Sequence, residues 1–304
     1  MGHRRYDLLA VDLDGTLFGP DGRVSPRNRD AVARARDAGL EVVICTGRGF
    51  VESTAAVESI DGTRTARGHD VAPVVCAGGA MVVDAATART LHRWPMNREL
   101  VGRLCDHFAE RRRAPLLLKD RDAAGYDYLV VDSGPLEYPT RWWFDVMDVL
   151  VRHIDHPDHD EHPEHTVRVG FAATADEMRE LAHSVHETFG REAVTQHFAA
   201  IASKNRDPGS GVKDDSIHLL EVFDPQVSKW TAIHRVALEQ GIRRERIAAI
   251  GDEVNDRAMI EGAALGVAMG NAVDAVREVA DVVAPSHAED GVAHAIDNIL
   301  AGEW

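Results

Sequence analysis

The sequence predicts an α/β protein, a doubly wound parallel sheet of the Rossmann type with an inserted α+β domain. Three observations predict it. Short apolar runs with no polar alternation, Asp7 to Val11, Glu41 to Cys45 and Ile247 to Ile250, have the character of strands buried on both faces. Capped amphipathic stretches sit between such runs at both ends of the chain, and the resulting βαβ units gather their functional loops at the strand carboxyl ends. In the middle of the chain strands and helices no longer alternate one for one, which suits an α+β unit with a more antiparallel sheet.

Taken in order, the first strand leads to Ser25-Pro26, a helix cap followed by a first-turn proline. Ala31, Val32 and Ala35 then continue along one face until Gly39 stops the helix. Late in the chain, Ser228 caps a helix running to Gln240. Leu265 to Met269 and Val282-Val283 follow as short strands, with Asp256 to Ala263 and Ala272 to Val279 as the helices between them. Residues 1–84 and 224–304 therefore form the core, and residues 85–223 the insertion. The expected strands of the insertion are Arg89 to Trp94, Leu116 to Lys119, Tyr126 to Val131, Val167 to Ala172 and Ile217 to Val222. Its helices are Leu100 to Arg111 and Ala175 to Phe189, the second opened by a Thr174-x-x-Glu177 capping box.

Composition narrows the function classes. The chain has 304 residues, 44% of them hydrophobic, enough to fill two cores. A formal charge of −16 repels nucleic acid and anionic membranes, so an anionic substrate must be small and must meet locally placed positive charge. No apolar run approaches the ~18 residues of a membrane span. Met1 to Asp7 lacks an apolar leader, and Cys45, Cys76 and Cys105 show no metal-type spacing, which points to reduced thiols in the cytoplasm.

The chemistry-bearing residues follow the apolar strands. Asp12 and Asp14, in Asp12-Leu13-Asp14-Gly15-Thr16, stand at the carboxyl edge of the sheet, where two carboxylates repel unless a cation joins them. Thr46-Gly47-Arg48 follows the second strand and offers a hydroxyl and a backbone N–H at a glycine that permits close approach. Lys229 begins a helix, where a cation opposes the dipole and an anion nearby would account for it. Gly251-Asp252-Glu253-Val254-Asn255-Asp256 puts three acids and an amide at another strand end, a hard-oxygen cluster suited to Mg²⁺. Each has a plainer reading alone, as a turn, a helix cap, a solvated lysine or an acidic loop.

In this order the four elements resemble the motifs of the haloacid dehalogenase superfamily, and most closely its Cof-like sugar-phosphatase branch, which carries a large α/β cap between the second and third motifs. The resemblance implies a Mg²⁺-dependent phosphatase acting on a small phosphorylated metabolite through an aspartyl-phosphate on Asp12. It implies Asp14 as general acid and base, and Thr46, Gly47, Arg48, Lys229 and Asn255 as phosphate contacts. Asp12, the Asp14 carbonyl and Asp252 would hold the metal, with Asp256 in support. Phosphomutases with similar caps and non-catalytic relatives are the alternatives. One departure is Gly78-Gly79-Ala80 where the family usually has Asn-Gly-Ala, which removes an amide that commonly faces substrate.

Two further features fall in the insertion. His153, His156, His159, His162 and His165 recur every third residue in an acidic, proline-bearing segment expected to be an exposed loop, as is Ser203 to Asp215. Trp142-Trp143-Phe144 heads an amphipathic helix and is expected to pack into a core.

Overall fold

Five consecutive buried residues, Leu8–Asp12, form the strand from which the first sheet is built outward on both sides. The computed structural model describes residues 5–201 and 216–304, so Met1 to Arg4 and the expected loop Ser203 to Asp215 lie outside the described residues. The chain divides into two compact units, Met1–His92 with Ser228–Trp304, and Arg93–Val227. Among the described residues no helix is long and apolar enough to cross a membrane.

The first unit holds an eight-stranded sheet in the order Val282–Val283, Leu265–Ala268, Ile247–Gly251, Leu8–Asp12, Glu41–Cys45, Pro73–Cys76, Met81–Asp84 and Thr90–Arg93. The first six strands are parallel, and Pro73–Cys76 pairs antiparallel with Met81–Asp84. From Leu8–Asp12 the chain proceeds to Glu41–Cys45 on one side, and it returns after the insertion to Ile247–Gly251 on the other. The direction of winding thus reverses between those two neighbours, and their carboxyl ends lie level, with Val11 opposite Ile250 and Asp12 opposite Cys45. Thr90–Arg93, assigned from sequence to the insertion, extends this sheet instead. A four-residue, half-buried strand takes its allegiance from its hydrogen-bonding neighbour, which lies outside its own pattern.

Helix caps follow their local chemistry at Ser25, whose Oγ accepts from the Asn28 N–H at 3.0 Å to open Pro26–Asp37, and at Ser228, whose Oγ accepts from the Thr231 N–H at 3.0 Å to open Lys229–Glu239. Asn28 is itself buried. It donates to the Leu17 carbonyl at 3.3 Å and accepts from the Ala293 N–H at 3.0 Å, so it ties the turn after the first strand to the last helix, Gly291–Ala301.

In the second unit six strands lie in the order Val194–Ile201, Ile217–Phe223, Thr166–Thr174, Leu116–Lys119, Tyr128–Val131 and Val151–Ile154. All neighbours are antiparallel except the last pair, which is parallel. Helices Arg98–Ala109 and Ala175–Phe189 bury Leu104, Phe108, Met178 and Val185 against the alternate residues Val169, Phe171 and Ala173 of the central strand. The Thr174 side chain caps no backbone group. Its hydroxyl donates to Glu177 Oε2 at 2.9 Å, so the expected capping box is a side-chain pair.

The histidine segment is not a single loop either. His153 lies in the strand Val151–Ile154, and Pro157–His159 and Pro163–His165 are short helical turns that the two prolines open. In the helix Tyr138–Val146 only Pro139 and Thr140 are fully buried. Phe144 packs on Tyr128 with ring centroids 5.2 Å apart, while Trp142 remains 38% exposed, contrary to the core packing expected of it.

Ala77, Gly78 and Gly79 all have positive φ, of 50°, 63° and 102°, in the turn that follows Pro73–Cys76. Asparagine tolerates the left-handed region better than most residues, so Gly78 preserves the turn while omitting the amide. At Gly79 an added Cβ would lie 2.2 Å from the Ser228 carbonyl oxygen, so this turn and the helix start bearing Lys229 fit only around a glycine. Gly79→Ala is expected to lose about 2 kcal/mol or more of stability from backbone strain and clash, read as a lower urea midpoint at unchanged slope.

Candidate active site

The carboxyl ends of Leu8–Asp12 and Ile247–Gly251 flank the point of reversal, the position at which open α/β sheets bind ligands. Asp12 closes the first strand and is only 4% exposed. The chain then turns through Leu13–Leu17, closed by the Phe18 N–H donating to the Leu13 carbonyl at 2.9 Å. Gly15 is required there twice over, since its φ is +77° and an added Cβ would stand 2.2 Å from Asp252 Oδ2.

Lys229 enters from the helix N-terminus and is completely buried. Its Nζ donates to Asp12 Oδ1 and to Asp256 Oδ1, both at 2.6 Å. Burial alone would lower its pKa, but the charges and hydrogen bonds of these carboxylates outweigh that and raise it. Asp256, also buried, uses Oδ2 to accept from the Asp252 N–H at 2.9 Å and the Glu253 N–H at 3.1 Å, which folds the Asp252 to Asp256 loop around it. Both of its oxygens are thereby engaged, so its main part is to orient Asp252 and Lys229.

Asp12, Asp252 and Asp256 bring carboxylate oxygens within 4.8 Å of one another. Burial, then the charge of Asp256, pushes Asp12 well above the usual carboxylate range despite Lys229. Burial and Asp256 likewise push Asp252 up to about 7, against a hydrogen bond from Thr16. Three carboxylates against one ammonium leave a net negative cluster of hard oxygens, a donor set that fits a divalent cation such as Mg²⁺.

Thr46 and Gly47 follow the neighbouring strand. Thr46 is fully buried, and its Oγ1 accepts from the Arg48 N–H at 3.1 Å. A Cβ on Gly47 would come 3.4 Å from Asn255 Nδ2, so the threonine loop and the acidic loop meet here. Asn255 Oδ1 is buried with no hydrogen-bond partner. The structure therefore brings Asp12, Asp252, Asp256, Lys229, Thr46, Gly47 and Asn255 to one sheet edge.

Arg48 differs from its sequence assignment to phosphate. Its guanidinium grips Asp14 in a two-point fork, Nε to Oδ2 at 2.8 Å and Nη2 to Oδ1 at 2.6 Å, with its Cζ 5.4 Å from the Phe18 ring centroid. Asp14 is thus turned toward Arg48, and its side chain is 53% exposed.

Three contributors had no assigned role in the sequence reading. Thr16 donates from Oγ1 to Asp252 Oδ1 at 2.9 Å. Asn271 donates from Nδ2 to the Gly15 carbonyl at 2.8 Å and to Asp252 Oδ2 at 3.1 Å, and accepts from the His287 N–H at 2.9 Å. His287 donates from Nδ1 to the same Gly15 carbonyl at 3.1 Å, because a carbonyl can only accept. Thr16 lay inside the Asp12 to Thr16 motif, but nothing local marked His287, which is 272 residues from its partner.

Known proteins resemble this chain over nearly its whole length. The sequence matches the family model of haloacid dehalogenase-like hydrolases over residues 9–296. It is 27% identical to a 5-amino-6-(5-phospho-D-ribitylamino)uracil phosphatase of Bacillus subtilis, covering 97% of this chain and 99% of that one. It is 28% identical to a pyridoxal phosphate phosphatase of Escherichia coli, covering 95% and 97% respectively. Its fold resembles a haloacid dehalogenase-like hydrolase from Bacteroides thetaiotaomicron with a TM-score of 0.74, 21% identity and coverage of 97% and 99%. It also resembles a subclass IIB sugar phosphatase with a TM-score of 0.70, 19% identity and coverage of 96% and 98%. The chain belongs to the haloacid dehalogenase-like hydrolase family.

Proposed function

We propose that this chain is a Mg²⁺-dependent phosphatase that hydrolyses small phosphate monoesters, sugar phosphates or similar cytoplasmic metabolites, through an aspartyl-phosphate on Asp12. The observation that carries the reading is the buried Asp12 carboxylate, held by Lys229 at 2.6 Å beside Asp252 and Asp256. The relatives from Bacillus subtilis and Escherichia coli are named for phosphorylated metabolites, which supports the substrate class.

Asp12, Asp252 and the Asp14 backbone carbonyl would hold Mg²⁺, with Asp256 fixing Asp252. When bound, the ion supplies the positive charge that lets two anions approach. Lys229 keeps one Asp12 oxygen fixed and, together with the charge the ion would add, favours the ionised carboxylate, which leaves the other oxygen to attack phosphorus. The Asp12 O–P bond forms as the bond to the leaving oxygen breaks, and Asp14, protonated once the Arg48 fork opens, delivers its proton to that oxygen, since an alkoxide is a poor leaving group. Water then attacks the aspartyl-phosphate, gives its proton to Asp14 and frees Asp12. Thr46, the Gly47 N–H and Asn255 hold the phosphoryl oxygens in place throughout. Arg48 is better read as the residue that aims Asp14 than as a phosphate ligand, because its fork is already on that carboxylate.

Phosphate release from a panel of monoesters with Mg²⁺ tests the reading. Asp12→Asn should reduce it to background, whereas release that survives this change, or that requires an added sugar bisphosphate, refutes the hydrolytic scheme. Asp14→Asn should slow alkyl phosphates by about 10²–10⁴-fold and an aryl phosphate with a good leaving group far less. Arg48→Gln should show the same leaving-group dependence at about tenfold. An equal loss on both substrate types would remove the acid role. Lys229→Met leaves two buried carboxylates facing each other and should cost about 3–5 kcal/mol of stability in urea unfolding.

A further inference from the structure

The five periodic histidines do not share one environment. His153 Nδ1 lies 2.8 Å from Asp132, His156 Nδ1 3.4 Å from Asp158 and His159 Nδ1 2.6 Å from Asp155, each facing a single exposed carboxylate. His162 and His165 differ. Their rings stack with centroids 5.8 Å apart and 28° between planes. Glu164 joins them, and the three offer donor atoms that all lie within 4.8 Å of one another.

The backbone presenting these donors is fixed from beneath. The His165 N–H donates to the His162 carbonyl at 3.0 Å, and the His162 N–H donates to Asp160 Oδ1 at 3.0 Å. Lys119, whose side chain is wholly buried, donates to the His162 carbonyl at 3.1 Å, to Thr166 Oγ1 at 2.6 Å and to Asp160. Asp160 matches the lysine charge, so this network holds the turn without adding an uncompensated cation below it.

One pair of donors already has the separation of two ligands on one ion. His165 Nε2 lies 3.3 Å from Glu164 Oε1, longer than a good charge-assisted hydrogen bond. Two ligands at ~2.0–2.1 Å from a tetrahedral ion stand about 3.3–3.4 Å apart. His165 Nδ1 is buried with no hydrogen-bond partner, so no bond at that nitrogen fixes the tautomer.

We propose that His162, Glu164 and His165 form a site for a transition-metal dication of the Zn²⁺ class, separate from the oxygen cluster around Asp12. Two imidazoles and one carboxylate suit Zn²⁺ and leave Mg²⁺ to the oxygen donors. The bound ion would join the cap residue His162 to the turn Pro163–His165, which leads directly into the strand Thr166–Thr174.

Equilibrium dialysis of untagged full-length protein against Zn²⁺, in excess Mg²⁺, tests the assignment. The wild type should take up one equivalent more than His162→Ala/His165→Ala, while His156→Ala/His159→Ala should match the wild type. Glu164 is 61% exposed, so Glu164→Gln leaves the fold intact and should weaken that equivalent at least tenfold even if the double variant is poorly folded. Cobalt substitution should add visible absorption bands of a low-coordinate site in the wild type and not in Glu164→Gln. Equal uptake by the wild type and Glu164→Gln, or equal loss in the His156 and His159 variant, overturns the proposal.

Discussion

The contact on which the site depends is the ammonium of Lys229 bonded to Asp12 and Asp256, all three groups almost wholly buried. Each charge alone would be costly to bury, and together they persist because each supplies the solvation that another lacks. The three residues come from a strand end, a helix start and a loop, so their pairing fixes three separate segments at one point. It also resolves a local conflict. A lysine in the first turn of a helix faces the positive end of the dipole, an unfavourable position that two carboxylates more than offset. The glycine turn at Gly78-Gly79 completes the arrangement by letting the chain press against the Ser228 carbonyl.

From this point the neighbouring elements acquire definite jobs. Asp256 spends its second oxygen on two loop amides, which sets Asp252 at the reach of Thr16 and Asn271. Asn271 and His287 converge on the Gly15 carbonyl from the far end of the chain, and Asn28 holds the Leu17 carbonyl. The turn that carries Asp12 and Asp14 is therefore gripped at both ends by residues outside it. Such support would keep the groups of the proposed reaction within the narrow geometry that in-line displacement requires.

How much of this was legible in the sequence follows from which interactions are local. Leu8–Asp12, Glu41–Cys45 and Ile247–Gly251 announced themselves because strands buried on both faces need continuous apolar runs. Ser25 and Ser228 were readable as caps because a cap bonds to residues two or three positions away. Val151–Ile154 was not readable, since an edge strand with Arg152 and His153 exposed has no apolar signature. Thr174 and Glu177 fit the capping pattern, yet the hydroxyl found a carboxylate instead of an amide, a choice made by rotamer and not by spacing. The Arg48 fork on Asp14 was hidden for a related reason. An arginine beside a threonine loop suits a phosphate or a carboxylate equally well, and only the fold brings Asp14, 34 residues away, to it.

The charge of the whole chain and that of the site pose one electrostatic problem at two ranges. A net charge of −16 acts across the surface and is largely screened beyond about 8–10 Å at physiological salt. Inside the site screening is weak, and Asp12, Asp252 and Asp256 outnumber Lys229, so the three carboxyl groups resist being ionised together unless a further cation joins them. A divalent cation held by these oxygens would supply that charge and lessen the repulsion of a phosphate ester. Arg48 does not relieve the repulsion while its fork is committed to Asp14. Under the proposed function, the same physical fact, too many carboxylates for one lysine, would make the cluster a cation site and productive phosphate binding dependent on that cation.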